Sequence, residues 1–133
     1  MSTLKVGTIK DSTDSNPSTP EQISKGRAKL WVNFDGTFGT SPFTTSNGGI
    51  RNSFNVSSIT DNGTGNYTVN FGITFANANY VATFMERHNN RTMGPSAAAS
   101  LTTTDIDIAV YNGVGNLQDR DILGMVIFGD VNT

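Results

Sequence analysis

Cysteine is absent from this 133-residue chain, and histidine occurs once, at His88. The lack of cysteine excludes disulfide bonds, thiolate catalysis and cysteine metal sites. The single histidine excludes a two-histidine zinc site and leaves only His88 for any Ser-His-Asp triad. Charge is also scarce: charged residues make up 15% of the chain, and the formal net charge is −2. This near-balance gives no basis for a nucleic-acid groove or an anionic membrane as partner.

Long apolar runs are missing as well. No run approaches the roughly 18 residues of a membrane-spanning helix. The first ten residues lack the apolar stretch of a signal peptide, and residues 11–20 are polar. We therefore expect a protein that is neither exported nor inserted into a membrane, and that stays soluble or joins a larger assembly.

Uncharged polar residues take the place of charge. The chain has 12 Ser, 18 Thr and 15 Asn, which together are about a third of its residues. Thr suits half-exposed strands, whereas Asn and Gly suit turns. The apolar fraction is near the usual value, so one domain of this length can still bury a core. An uncharged polar surface suggests packing against other chains, or weak polar binding such as to glycans.

The chain divides into three predicted segments: an extended N-terminal arm and tether at residues 1–18, a short helix at 19–26, and a β-sandwich domain at 27–133. Within the arm, Leu4–Ile9 is strand-like, and residues 11–18 contain no apolar side chain, which predicts an extended or disordered stretch. No internal repeat or linker divides the remainder, so we expect one domain.

The helix has start and stop signals. Thr19 is placed to be the N-cap, Pro20 stands at the first helical position, and Gln22 can complete a capping box. Gly26 ends the segment. With Ile23 as its only apolar anchor, the predicted helix is too short to be stable alone.

From Ala28 onward apolar residues recur at every second position, as on strands with one buried face. The predicted strands are Ala28–Phe34, a strand that starts at Phe54 and carries a bulge at Ser57-Ser58, Tyr67–Phe75 as the central strand, Tyr80–Glu86, Ser96–Leu101, Asp105–Tyr111 and Ile122–Val131. The sequence predicts a long surface loop at residues 35–49, which Phe38 and Phe43 hold against the domain. It also predicts a hairpin turn at residues 61–66. This pattern predicts an all-β fold, an antiparallel β-sandwich or jelly-roll-like domain.

No set of residues points to catalysis, a cofactor or a metal ion. Asp105 and Asp107 are two residues apart, so on a strand both carboxylates lie on the same face. A calcium site needs six to eight oxygen ligands, so this pair alone favours a solvated surface. Asp119 and Asp121 flank Arg120, and we expect these loop charges to pair locally. Paired carboxylates can serve glycoside hydrolysis, but the sequence gives no distance between any two of them.

Trp31 and His88 are the remaining candidates. Trp31 is the only tryptophan and lies opposite Leu30 and Val32, either as a sugar-stacking platform or buried against a neighbouring chain or the long loop. Burial is favoured, because large aromatic side chains concentrate at packed interfaces. His88 lies in a predicted polar loop tip. It is interpreted as an exposed loop residue, and the functional alternatives are a general base or a receptor contact.

Several stretches resemble a module found in tail-fibre-like proteins of bacteriophages, notably phages of marine bacteria and cyanobacteria. The stretches that carry the resemblance are Ser2–Val6, Ser18–Ile23, Gly26–Thr37, Ile50–Ile59, Thr60–Phe71 and Val126–Asp130. They are densest between residues 18 and 84. The resemblance implies a non-enzymatic virion structural protein, expected to be a homotrimer that binds other virion proteins.

Under this interpretation the leading function is a short tail fibre that contacts a glycan or protein on the host surface; the alternative is a head-fibre or decoration protein on the capsid. The protein is expected to assemble in the host cytoplasm. Candidate receptor contacts are Arg87, His88, Asn89, Asn90 and Arg91. Candidate residues for attachment to the virion are Leu4, Val6 and Ile9, and Trp31 is the candidate for the subunit interface. A small polysaccharide depolymerase that uses Asp105 or Asp107 is the competing hypothesis from another class.

Overall fold

The computed structural model describes residues 2–10, 12–15, 17–87, 92–97 and 100–132. Within these residues the chain forms one short helix and eight strands. The helix α1 spans Pro20–Gly26. The strands are β1 Leu30–Phe34, β2 Ile50–Phe54, β3 Val56–Gly63, β4 Asn66–Phe71, β5 Val81–Glu86, β6 Thr92–Pro95, β7 Asp105–Tyr111 and β8 Leu123–Phe128.

The strands form two four-stranded sheets that pack as a sandwich. Sheet I has the strand order β2-β1-β8-β5, and sheet II has the order β3-β4-β7-β6. All neighbouring strands are antiparallel. The predicted all-β antiparallel sandwich with one short N-terminal helix is therefore confirmed.

Alternation along each strand supplies the core between the sheets. In β1, Leu30, Val32 and Phe34 are buried, as the sequence predicts. An aromatic group fills one end, where the ring centroids of Phe34 and Tyr67 lie 5.3 Å apart in an edge-to-face arrangement. The rings of Phe71, Phe75 and Tyr80 fill the other end. Burying one such side chain contributes about 1.5–3 kcal/mol.

Helix α1 forms because its first turn is capped from both sides. The Thr19 hydroxyl accepts a hydrogen bond from the Gln22 backbone N–H at 3.2 Å, and the Thr19 N–H donates to the Gln22 side chain at 2.8 Å. This capping box and Pro20 at the first position confirm the predicted start. The helix contains no buried residue, so packing against the sandwich does not stabilise it.

The long loop between β1 and β2 is held down by its two phenylalanines, as predicted. Phe43 is fully buried and pairs with Ile59 through two backbone hydrogen bonds of 2.7 and 3.0 Å. Phe38 packs edge-on against Phe43, with ring centroids 5.7 Å apart. The next connection, the hairpin between β3 and β4, turns at Gly65, which has a φ of 67° and confirms the predicted turn.

One predicted strand proves to be two. The sequence predicts a strand that starts at Phe54, whereas β2 already begins at Ile50 and ends at Phe54, and β3 begins at Val56. The two strands belong to different sheets. Asn55, with a φ of 59°, turns the chain from sheet I to sheet II, a conformation that asparagine adopts more readily than most residues. The predicted bulge is confirmed, since the register shifts between Val56 and Ser58.

Two further strand predictions have wrong boundaries. The predicted strand Tyr67–Phe75 is an inner strand, but it ends at Phe71, opposite Val56, where its neighbour β3 begins. The predicted strand Ser96–Leu101 is wrong, and β6 lies just before it at Thr92–Pro95. Within the described part of residues 96–101, a side-chain hydroxyl takes a backbone N–H that a strand would use for pairing. The Ser100 hydroxyl accepts a hydrogen bond from the Ala97 N–H at 2.7 Å.

Among the described residues, no helix is long and apolar enough to cross a membrane.

Candidate functional site

The N-terminal arm lies in solvent, and its apolar side chains stay uncovered. Leu4, Val6 and Ile9, the three predicted attachment residues, are 87%, 41% and 52% exposed. The prediction that Leu4–Ile9 forms a strand is wrong, because within it only Ile9 pairs, through two 2.8 Å backbone hydrogen bonds with Ser18. This bridge brings together the ends of a segment that the sequence predicted to be extended or disordered.

Lys29 connects the helix to the sandwich. Its side chain is almost fully buried, and its ammonium group donates to the Ser24 hydroxyl at 3.1 Å and to the Ser24 carbonyl. Its own carbonyl accepts from the Asn55 amide at 2.7 Å. The lysine therefore ties the C-terminal half of α1 to the start of β1.

The outer face of sheet I is largely apolar; Arg51, the extra residue at the bulge of β2, is charged and pairs with Asp35 at the border of the face. By strand alternation and register, the apolar residues that point outward from this sheet are Trp31, Phe54, Val81, Met85, Val126 and Phe128, and the neutral ones are Asn33, Asn52, Thr83 and Gly124. We call this surface the apolar face. Trp31 lies in its central row, paired with Phe54 on one side and Val126 on the other. Trp31 is half-buried, whereas Val81 and Met85 are largely exposed.

A shallow groove of about 220 Å³ crosses the apolar face. It opens above Gly124, where a missing side chain leaves a gap between Trp31 and Met85. A Cβ at Gly124 would lie 3.1 Å from the Met85 methyl group, so this gap admits no larger residue without moving Met85. The groove is smaller than the 300–1,000 Å³ of typical ligand pockets and has the size of one large side chain.

The outer face of sheet II is polar, and its side chains bond to each other. The Asn62 amide donates to the Thr68 hydroxyl at 2.8 Å, which in turn donates to the Asp107 carboxylate at 2.5 Å. In the adjacent row the Asn70 amide donates to the hydroxyls of two neighbours, Ser58 and Thr60, at 3.1 Å each. We call this surface the polar face.

The two carboxylates considered for catalysis lie on the polar face. Asp105 and Asp107 sit on the same face of β7, as the alternation predicts. Each accepts from a threonine hydroxyl: Asp105 from Thr104 at 3.0 Å, and Asp107 from Thr68. No group of three or more His, Cys, Asp or Glu residues that could hold a metal ion occurs in the described part of the chain.

The charges at one end of sheet I pair over long distances in the sequence. Arg51 contacts Asp35 at 3.0 Å, and Arg87 contacts Asp121 at 2.5 Å. Desolvation raises the pKa of Asp121, but the hydrogen bond and charge of Arg87, together with Arg51, outweigh it, so that the pKa lies below its usual value. Asp121 therefore stays ionised at neutral pH.

Arg120 and Asp119 also bond to distant residues, so the predicted local pairing around Arg120 is wrong. Arg120 lies 3.4 Å from Glu86, and both side chains are largely buried. The Asp119 carboxylate accepts from the Tyr67 hydroxyl and from the Gly65 N–H, each at 2.7 Å. Burial, and then the hydrogen bond and charge of Asp119, raise the pKa of Tyr67 far above its usual value. These contacts brace the turn that precedes β8.

The predicted receptor segment is only partly described. Arg87 is exposed and follows the last residue of β5. His88, Asn89, Asn90 and Arg91 lie outside the described residues, so their proposed contacts stay predictions. The sequence prediction of an interface at Trp31 and at the strand Tyr80–Glu86, which is apolar on both faces, did not include Phe54 and Phe128 of the same face.

Comparisons with protein-family models, with curated proteins and with solved structures find no match for this chain.

Proposed function

We propose that the protein is a structural component of a bacteriophage virion, a short tail fibre that assembles as a homotrimer and contacts the surface of the host cell. The sequence resemblance to phage tail-fibre-like modules motivates this proposal. The function requires recognition and assembly, and it needs no catalytic residue, metal ion or cofactor.

The exposed N-terminal arm is the observation that carries the proposal. Burying apolar side chains is the main favourable term in folding, yet Leu4, Val6 and Ile9 remain in water. A segment that covers no surface of its own domain is suited to binding another chain, for example by adding a strand to an open sheet edge. The arm thus has the properties of an attachment device, either to a neighbouring copy of the chain or to another virion protein.

The direction of the strands supports a fibre with two functional ends. Helix α1 enters the sandwich beside Leu30, whose row in sheet I continues through Ile127 to Ala82. Arg87 follows the row of Phe34, Leu123 and Glu86 at the opposite end of the same strands. The start of β1 and Arg87, the first residue of the candidate receptor segment, are therefore separated by the length of β1, about 15 Å at 3.3 Å per residue.

Adsorption of the labelled, purified protein to a panel of candidate host strains tests the proposal. We expect saturable binding that excess unlabelled protein competes away. The double variant His88→Ala/Arg91→Ala should weaken it, whereas Thr64→Ala, in the exposed hairpin turn, should not. Many copies on one particle would convert weak single contacts into strong attachment, so trimers or particles should bind more tightly than single chains.

The same experiment separates the fibre from a capsid decoration protein. Binding to empty phage capsids without adsorption to cells would overturn the fibre and favour decoration. Release of reducing sugar from host polysaccharide, lost in Asp107→Asn, would overturn both and favour an enzyme. If the protein binds neither cells nor virion components, the virion function itself is wrong.

A further inference from the structure

The apolar face is poor in charge for a surface left to water. None of its ten paired outward positions is charged, and Arg51, the extra residue at the bulge of β2, lies at its border. With four strands about 4.8 Å apart and six residues of about 3.3 Å each, the face covers roughly 400 Å². That lies within the range of about 300–600 Å² for the largest apolar patch on a monomer, patches that are often functional.

Charge indicates what kind of surface can cover this face. The charges at its border neutralise each other, as in the pairs Arg51–Asp35 and Arg87–Asp121. A strongly charged partner would lose hydration on this face and find no opposite charge there. The complementary partner is neutral and apolar. The same chain offers such surfaces, and with a net charge of only −2 two copies repel each other weakly.

The area of the face gives a second constraint. A stable interface buries about 800 Å² on each partner, roughly twice the area of the face. Contacts between the apolar faces of neighbouring copies alone therefore leave a deficit of buried area. The uncovered arm is suited to fill it, because Leu4–Ile9 in extended form is about 20 Å long, the same length as the strands of the face. The groove above Gly124 can accept one of its apolar side chains.

We infer that the apolar face is the docking site for a second copy of this chain, and that the arm of that copy completes the contact. The inference deepens the proposed function and rests on it, because it names the surface through which the copies of the fibre assemble. Trp31 and Val126 form the centre of this interface, and Met85 lies at its border.

Light scattering on the full chain provides the first test. We expect a mass near three times 14.2 kDa for the unchanged protein. Val126→Lys and Met85→Lys should each weaken association more than roughly tenfold, because a lysine would be buried without a partner. Val114→Lys is the matched control, since Val114 is an exposed apolar residue in the loop before β8, and it should leave the mass unchanged.

Thiol labelling gives a second test that leaves the apolar side chains intact, and the absence of cysteine makes it clean. In Thr83→Cys the new thiol lies on the apolar face, and in Thr64→Cys it lies in the exposed hairpin turn. We expect the labelling rate of Thr83→Cys to fall as the protein concentration rises, while that of Thr64→Cys stays constant. The Leu4→Asp/Val6→Asp double variant should remove this protection.

The outcomes separate the inference from the proposed function. A monomer at the highest soluble concentration, or an oligomer that survives both lysine variants, overturns the inference. Protection of Thr83→Cys that does not depend on concentration means that the arm covers its own face, and it also overturns the inference. A monomer that still adsorbs to host cells leaves the fibre function intact. An oligomer formed through this face that binds neither cells nor virion components supports the inference and overturns the function.

Discussion

The two outer faces of the sandwich differ in how they satisfy their own side chains. On the polar face the side chains bond to each other, as in the chain from Asn62 through Thr68 to Asp107. On the apolar face the exposed groups are mostly carbon, as at Phe54 and Val81. Both faces arise from the same alternation, in which every second residue of a strand packs into the common core. The difference therefore reflects what each face contacts, and the fold alone does not require it.

This comparison assigns different roles to the two faces. Hydrogen bonds across neighbouring strands stabilise the single chain, so the polar face should matter for folding. Exposed carbon contributes to stability only when it is covered, so the apolar face should matter for assembly.

The largest loss should come from the buried pair Glu86–Arg120, which neither outer face supplies. Arg120→Met leaves the Glu86 carboxylate buried without a cation, and we expect a loss of about 3 kcal/mol in the free energy of unfolding. Urea denaturation of the monomer measures it. The double variant Glu86→Leu/Arg120→Met should recover most of the loss, because apolar side chains of similar volume often replace a buried pair without cost. If Arg120→Met were as stable as the unchanged protein, Arg120 would not be needed to compensate the buried Glu86 carboxylate.

The same substitution on each face compares the two directly. Thr68→Val removes the hydroxyl between Asn62 and Asp107, and we expect a loss of about 1.5 kcal/mol because one of the broken bonds involves a carboxylate. Thr83→Val lies on the apolar face, has no such bond to lose, and should change stability by less than about 0.5 kcal/mol. Chemical denaturation of both variants measures the difference. Similar losses in the two would remove the distinction between the faces.

Alkaline pH tests the contacts beneath the polar face. The pKa of Tyr67 is raised by burial and by Asp119, and burial raises the pKa of Tyr80 to about 12. Both tyrosines therefore ionise first in the unfolded chain, near its ordinary pKa of about 10, so stability should fall as the pH rises above that value.

In Tyr67→Phe the loss of stability with rising pH should be shallower than in the unchanged protein. The pH dependence that remains should come mainly from Tyr80. The variant also loses the bonds from the Tyr67 hydroxyl to Asp119 and to the Gly36 carbonyl, so it should be less stable at neutral pH. Thermal unfolding between neutral pH and the alkaline limit measures both effects. A decline as steep as that of the unchanged protein would show that Tyr67 reaches solvent in the folded state.

The sequence predicts the sandwich because its signals are local. Alternation in Leu30–Phe34 and Asp105–Tyr111 identifies strands with one buried face, and Thr19 with Gln22 identifies the helix start. Strand ends were predicted less well, because they depend on tertiary contacts. Nothing near Phe71 in the sequence indicates that its neighbour β3 begins only at Val56, after the turn at Asn55.

The candidate surfaces were predicted only in part, for a related physical reason. Trp31 was identified as an interface residue because it points away from the core. Its neighbours Phe54 and Val126 come from strands that lie far apart in the sequence, so their row exists only after the sheet order β2-β1-β8-β5 is known. Local pairing around Arg120 was predicted from sequence neighbours, whereas the partners of such loops are set by the strands they join.

The smallest effect should come from the exposed pair Arg87–Asp121 at the end of the apolar face. The pKa of Asp121 is lowered in the folded chain, so its contribution to stability is present above the ordinary pKa of about 4 and is lost as the pH falls. Asp121→Asn should therefore be slightly less stable than the unchanged protein at neutral pH and converge with it in acid. In about 1 M salt, where the Debye length is about 3 Å, the difference at neutral pH should shrink. Acid titration of thermal unfolding measures both curves. Parallel curves across the acid range would mean that the pair makes no net contribution to stability.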